Sequence, residues 1–108
     1  MNWIILTEEQ QLEDLKQLSS QKTQVIFKHS TRCAASSMAK ARLERSAQPD
    51  NIDFYFLDLV RYRQLSNKIA ETFAVTHESP QVLLIRNGEC TYEESHSAIQ
   101  MDEIVEQA

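Results

Sequence analysis

The chain has 108 residues, with 11 Lys and Arg against 16 Asp and Glu and a formal net charge of −5. One small domain is expected, and an acidic chain without a basic run excludes general nucleic-acid binding. Gly88 is the only glycine, so neither a glycine-rich phosphate cradle nor a dinucleotide fingerprint can be built. Apolar runs such as Trp3-Ile4-Ile5-Leu6 fall far short of the ~20 residues needed to cross a bilayer.

Trp3 to Leu6 reads as a short strand. Thr7-Glu8-Glu9-Gln10 then matches a capping box, with Thr7 as the cap and Gln10 reaching back. Leu12, Leu15 and Leu18 follow on one face of a helix. Val25-Ile26-Phe27 is a second strand. Ala34 to about Ala47 is rich in helix formers, and Pro49-Asp50-Asn51 marks a turn. Asp53 to Asp58 is apolar on both faces, as a central strand would be. Tyr62 to Phe73 is helical, with Leu65, Ile69 and Phe73 spaced by four.

Gln81 to Arg86 and Glu89 to Ser95 are strands joined by Asn87-Gly88, a strong two-residue hairpin signal. Met101, Ile104 and Val105 mark a short terminal helix. The order β-α-β-α-β-α-β-β-α implies an α/β fold over residues 1–108. Three parallel strands with right-handed crossovers and one antiparallel hairpin form a central five-stranded mixed sheet, covered by helices on both faces.

The chemistry points to Cys33. It follows a central strand and opens a helix, where free backbone N–H groups and the helix dipole favour a thiolate, the nucleophilic form of cysteine. Arg32 adds a positive charge beside it. Ser36, three residues on, can donate to the thiolate from the first helical turn, or simply satisfy an early helix N–H. It stands where a second cysteine would complete a Cys-x-x-Cys couple, so Cys33 has no local disulfide partner.

A two-residue turn makes Arg86 face Glu89, Ile85 face Cys90 and Pro80 face Ser95, with His96 at the same end. Cys90 is then about 15 Å from the Pro80 end, too far to reach Cys33, because a disulfide needs Cα atoms within ~7 Å. His96 and Arg61 open toward the cysteine end of the sheet and are candidate contacts for an anionic ligand. His77 lies in a polar loop and is given no role. No cysteine or histidine pair has metal-ligand spacing. A cysteine-phosphatase loop would need arginine six residues after Cys33, where Ala39 stands.

Phe27 to Cys33 with Ser36, Tyr55 to Leu59, His77 to Gln81 and Ser95-His96-Ser97 together resemble the YtxJ-type monothiol bacilliredoxins of the thioredoxin-like superfamily. The resemblance spans nearly the whole chain. It implies a thioredoxin-like fold and a cis bond at Ser79-Pro80, although composition alone favours trans. It also implies a thiol–disulfide exchange enzyme that removes bacillithiol from S-thiolated client proteins, with Cys33 as nucleophile and Ser36 assisting.

On this reading Ser79, Pro80, Arg32, Arg61 and His96 form the substrate groove. Bacillithiol, or a similar low-molecular-weight thiol, is a co-substrate, and no cofactor, metal, nucleic acid or membrane is involved. The cytoplasm, where thiols stay reduced, is the expected compartment. Ala34-Ala35 stands where family members often carry Pro-Ile or a similar pair, a difference that bears on partner choice. A redox sensor or adaptor, S-thiolated at Cys33 without turnover, is the alternative on the same scaffold.

Overall fold

Strand β2 (Thr23–His29) is buried at all seven residues, and the remaining strands are arranged around it. A computed structural model describes residues 1–108. Strands β1 (Trp3–Ile5), β3 (Ile52–Asp58), β4 (Gln81–Arg86) and β5 (Glu89–Ser95) complete one sheet in the order β1-β3-β2-β4-β5. Strand β3 runs parallel to both β1 and β2, whereas β4 runs antiparallel to β2 and to β5. The helices are α1 (Glu9–Leu18), α2 (Ala34–Arg45), α3 (Arg63–Phe73) and α4 (Met101–Gln107), with a 3₁₀ turn over His96–Ala98.

The two-residue alternation of β2 divides the core. Ile26 packs with Leu12 and Leu15 of α1 and with Leu65 and Ile69 of α3. Val25 and Phe27 face the other way, onto Ala39 and Leu43 of α2 and Ile104 of α4. Buried on both faces, β2 carries its C-terminal loop on a rigid central support.

Two local expectations shift by one residue. Helix α1 is capped at Glu8, not Thr7, and Gln11 replaces Gln10 as the residue that reaches back. The Gln11 Oε1 accepts the N–H groups of Thr7 and Glu8 at 2.8 and 3.1 Å. Adjacent glutamines offer two equivalent boxes, and burial of Leu12 and Leu15 selects the second.

In the hairpin, Arg86 faces Glu89 and Ile85 faces Cys90, but a bulge then intervenes and Leu84 faces Tyr92. Ser95 therefore pairs with Gln81, not Pro80, as the extra residue of a bulge moves the register by one. With one glycine available, Ala74, Asn87 and His96 take left-handed backbone conformations beside Gly88.

Candidate active site

Beyond His29 the chain leaves β2, turns through Ser30–Arg32 and enters α2 at Cys33, its N-cap residue, in an extended conformation. Hydrogen bonds hold the turn. The Cys33 N–H donates to the Ser30 carbonyl at 3.2 Å, and the Cys33 carbonyl accepts the N–H groups of Ser36 and Ser37 at 3.1 and 3.2 Å. The Arg32 N–H donates to Ser30 Oγ at 3.3 Å. Cys33 is a free, partly exposed thiol, flanked by exposed Arg32, Ala34 and Ala35.

Ser36 is engaged elsewhere than expected. Its side chain is fully buried. Its Oγ accepts the Ser30 N–H at 3.0 Å and lies 2.7 Å from His29 Nδ1. Burial and the nearby Lys40 ammonium push the His29 pKa down, favouring a neutral imidazole. The Ser36 Oγ is held between the Ser30 N–H and His29 Nδ1. Ser36 thus locks the turn that presents Cys33 to the end of β2.

A cysteine at position 36 would supply the resolving thiol that the chain lacks there. In Ser36→Cys, a small thiol bound at Cys33 should be expelled by the introduced thiol without added reductant. The product, an internal disulfide between Cys33 and the introduced thiol, would be visible by intact mass. Persistence of the adduct at the parental level would contradict this.

The other end of the groove is the Ser79-Pro80 bond, which is cis, with Pro80 buried. Because Lys28 pairs with Gln81, Pro80 stands at the end of β2 from which the cysteine loop departs. The loop before it is clamped from several sides. The His96 N–H donates to the Pro80 carbonyl at 3.1 Å, and His96 Nε2 lies 3.3 Å from Glu78 Oε2. Buried Gln81 accepts the Glu78 N–H and donates to the Thr76 carbonyl and the Glu93 carboxylate. The sequence marks His96 as a ligand contact; its ring lies beside Glu78, and its backbone N–H holds Pro80.

Arg61 is at the same end of the sheet but outside this groove. Asp58 Oδ1 accepts the Val60 and Arg61 N–H groups, and the Arg61 guanidinium lies 5.5 Å from the centre of the Tyr62 ring. It lines a cleft of about 390 Å³ with Thr7, Glu9, Tyr62, Arg63, Gln64 and Leu65, which Cys33 does not reach. Cys90 is partly buried and its Sγ donates to the Tyr92 carbonyl at 3.3 Å; burial pushes its thiol pKa up. It faces Ile85, four residues along β4 from Gln81, about 13 Å from the Pro80 end.

Two residues to which the sequence assigns no role emerge here. Lys28 is fully buried, and its Nζ meets His77 Nδ1 at 3.3 Å. A lone charge inside an apolar strand is visible in the sequence, but its partner, 49 residues away, is not.

A sequence model of the family described as monothiol bacilliredoxin BrxC matches residues 4–104. The chain belongs to the monothiol bacilliredoxin family. Among solved structures it is similar to a candidate oxidoreductase with a thioredoxin fold, at 29% identity and a TM-score of 0.83, covering 96% of this chain and 91% of the other.

The thioredoxin of Malassezia sympodialis aligns at 19% identity and a TM-score of 0.77, over 98% of this chain and 90% of that one. The thioredoxin of Fasciola hepatica aligns at 17% and 0.77, over 96% and 98%. The fold is thioredoxin-like, and this bacilliredoxin is a thiol–disulfide oxidoreductase. No helix is long and apolar enough to cross a membrane.

Proposed function

We propose that the enzyme removes bacillithiol from mixed disulfides on S-thiolated proteins, with Cys33 as the attacking thiol. The observation that carries this reading is that Cys33 stands alone. Its neighbour one helical turn on is a serine already bonded to His29, and Cys90 belongs to the far part of the hairpin. A single, partly exposed thiol suits transfer of a small thiol better than reduction of a protein disulfide, for which a second cysteine completes the exchange.

In the first step the Cys33 thiolate attacks the bacillithiol sulfur. A new S–S bond forms, the old one breaks, and the client cysteine leaves as a thiolate that takes a proton from solvent. In the second step a free small thiol, as thiolate, attacks the Cys33-bound bacillithiol. It departs as a disulfide of two small thiols and returns Cys33 to its reduced form. No cofactor takes part. Ser79 precedes buried Pro80 and is partly exposed, and its backbone serves an extended client segment.

Arg32, exposed beside Cys33, is the cation placed to meet a bacillithiol carboxylate. Such exchange belongs in a reducing compartment, the cytoplasm.

Donor preference tests this. Reduced protein mixed with a bacillithiolated model protein should acquire bacillithiol at Cys33 rapidly, and a free thiol should remove it. A glutathionylated donor should react more slowly. Equal rates would remove bacillithiol as the preferred substrate. Rapid loading followed by release too slow to sustain turnover would favour a sensor.

A further inference from the structure

Lys28 is the residue whose burial most needs explaining. It lies on β2 one alternation beyond Ile26, and no part of it reaches solvent. The ion pairs of the molecule join Lys22 to Asp53 and Lys40 to Glu44, and Glu78 lies against His96, so Lys28 has no carboxylate partner. An unpaired buried ammonium is costly, and an apolar side chain would suit this position better for stability alone. Desolvation lowers its pKa to about 8.

What Lys28 gains is a pair of acceptors on two other segments. Its Nζ donates to the Ser66 carbonyl of α3 at 3.3 Å, and lies 3.3 Å from His77 Nδ1, three residues before Pro80. Its third proton has no protein acceptor. Each of the two segments it joins also carries a buried hydroxyl without a partner, Ser66 Oγ and Ser79 Oγ. Lys28 thus adds a polar tie between β2 and the 77–80 loop, beside the bonds of Gln81 to Thr76 and Glu78.

We propose that Lys28 is a positioning residue: through His77 it holds the loop bearing Ser79-Pro80 against the strand bearing Cys33, and protonation of His77 releases that hold. The inference rests on the exchange reaction proposed above. A neutral Nδ1 accepts from the ammonium, whereas a protonated one would set two cations 3.3 Å apart. The charged groups facing His77 are Lys28 from β2, Arg63 from α3 and Glu78 from its own loop. Burial and the two cations lower its pKa, and Glu78 opposes them. The Pro80 carbonyl remains tied to His96, and Thr76 and Glu78 to Gln81, so release is confined to the His77 ring and the backbone beside it.

The test uses the full-length protein and its Lys28→Met and His77→Gln variants. Lys28→Met should fold, with a melting temperature at pH 7 no lower than that of the parent. The sign follows from linkage. The Lys28 pKa is lowered from 10.5 to about 8 on folding, so the parent gains stability as pH rises across that interval, and any advantage of the variant shrinks there.

Removing the cation should move the His77 titration, followed by ring NMR signals, to higher pH. Exchange from a thiolated donor should fall about tenfold near pH 7.5 from loss of positioning. The gap should narrow on the acid side of the parent's own His77 titration, where the parent loop is also released. His77→Gln, which keeps an acceptor that does not titrate, should retain the neutral-pH rate and lose the acid-side step.

An unmoved His77 titration in Lys28→Met overturns the inference whatever the exchange data show. Parental exchange by Lys28→Met at both pH values also overturns it, leaving the proposed function intact. Absence of exchange in the parent itself overturns the proposed function, and the His77 titration then decides the Lys28–His77 contact alone.

Discussion

Cys33→Ser should abolish exchange, lowering the rate by about three orders of magnitude or more, because a hydroxyl is neither ionised nor able to form the mixed disulfide at neutral pH. The variant should fold as well as the parent. Position 33 is the N-cap of α2, and serine is among the preferred residues there. The substitution therefore separates chemistry from stability.

Cys90 should not substitute. It is partly buried, its thiol pKa is raised by burial, and it faces Ile85 away from the Pro80 end of the hairpin. A raised thiol pKa means less thiolate at neutral pH and slower attack. Intact-mass measurement after incubation with a thiolated donor should show transfer to the parent and none to Cys33→Ser. Transfer to the variant at the parental rate would move the nucleophile to the hairpin and end the reading of the site.

Phe27→Ala should be the most damaging core substitution near the site, costing about 3–5 kcal/mol. Phe27 is completely buried on β2. Its ring stacks on Trp3 at 5.6 Å and approaches His29 at 5.9 Å and Phe56 at 6.2 Å. Trp3 in turn meets Phe54 and Phe56 edge-on, so one truncation opens a cavity shared by three strands. Against a total of about 5–15 kcal/mol for a domain this size, the loss is a large fraction.

A fall in melting temperature of about 12 °C or more is expected, at ~4–8 °C per kcal/mol. Denaturant titration would check it through the midpoint at constant slope. A loss below about 1 kcal/mol would mean that the aromatic cluster does not support β2 as described. The consequence for function is indirect: His29, which holds Ser36 and with it the cysteine turn, packs on the same rings.

The order and type of the elements and the position of the thiol are legible in the residues alone. Strand β4 and strand β5 match their expected limits, because Asn87-Gly88 and the apolar runs beside it act over a few residues. The placement of Cys33 at the head of α2 follows from a β-branched and aromatic strand meeting a stretch of helix formers, again a local matter. The family resemblance carried the cis bond, which the local residues alone did not favour.

Tertiary structure decided the partners. One bulged residue in β5 moved Ser95 from Pro80 to Gln81. Ser36 turned to His29, His96 to Glu78, and Lys28 to a histidine in a loop that looked merely polar. A side chain's type shows which bonds it can make, but its choice among partners depends on desolvation and on segments brought together from distant parts of the chain. Periodicity is written into neighbouring residues; hydrogen-bond partners across the sheet exist only once the sheet has formed.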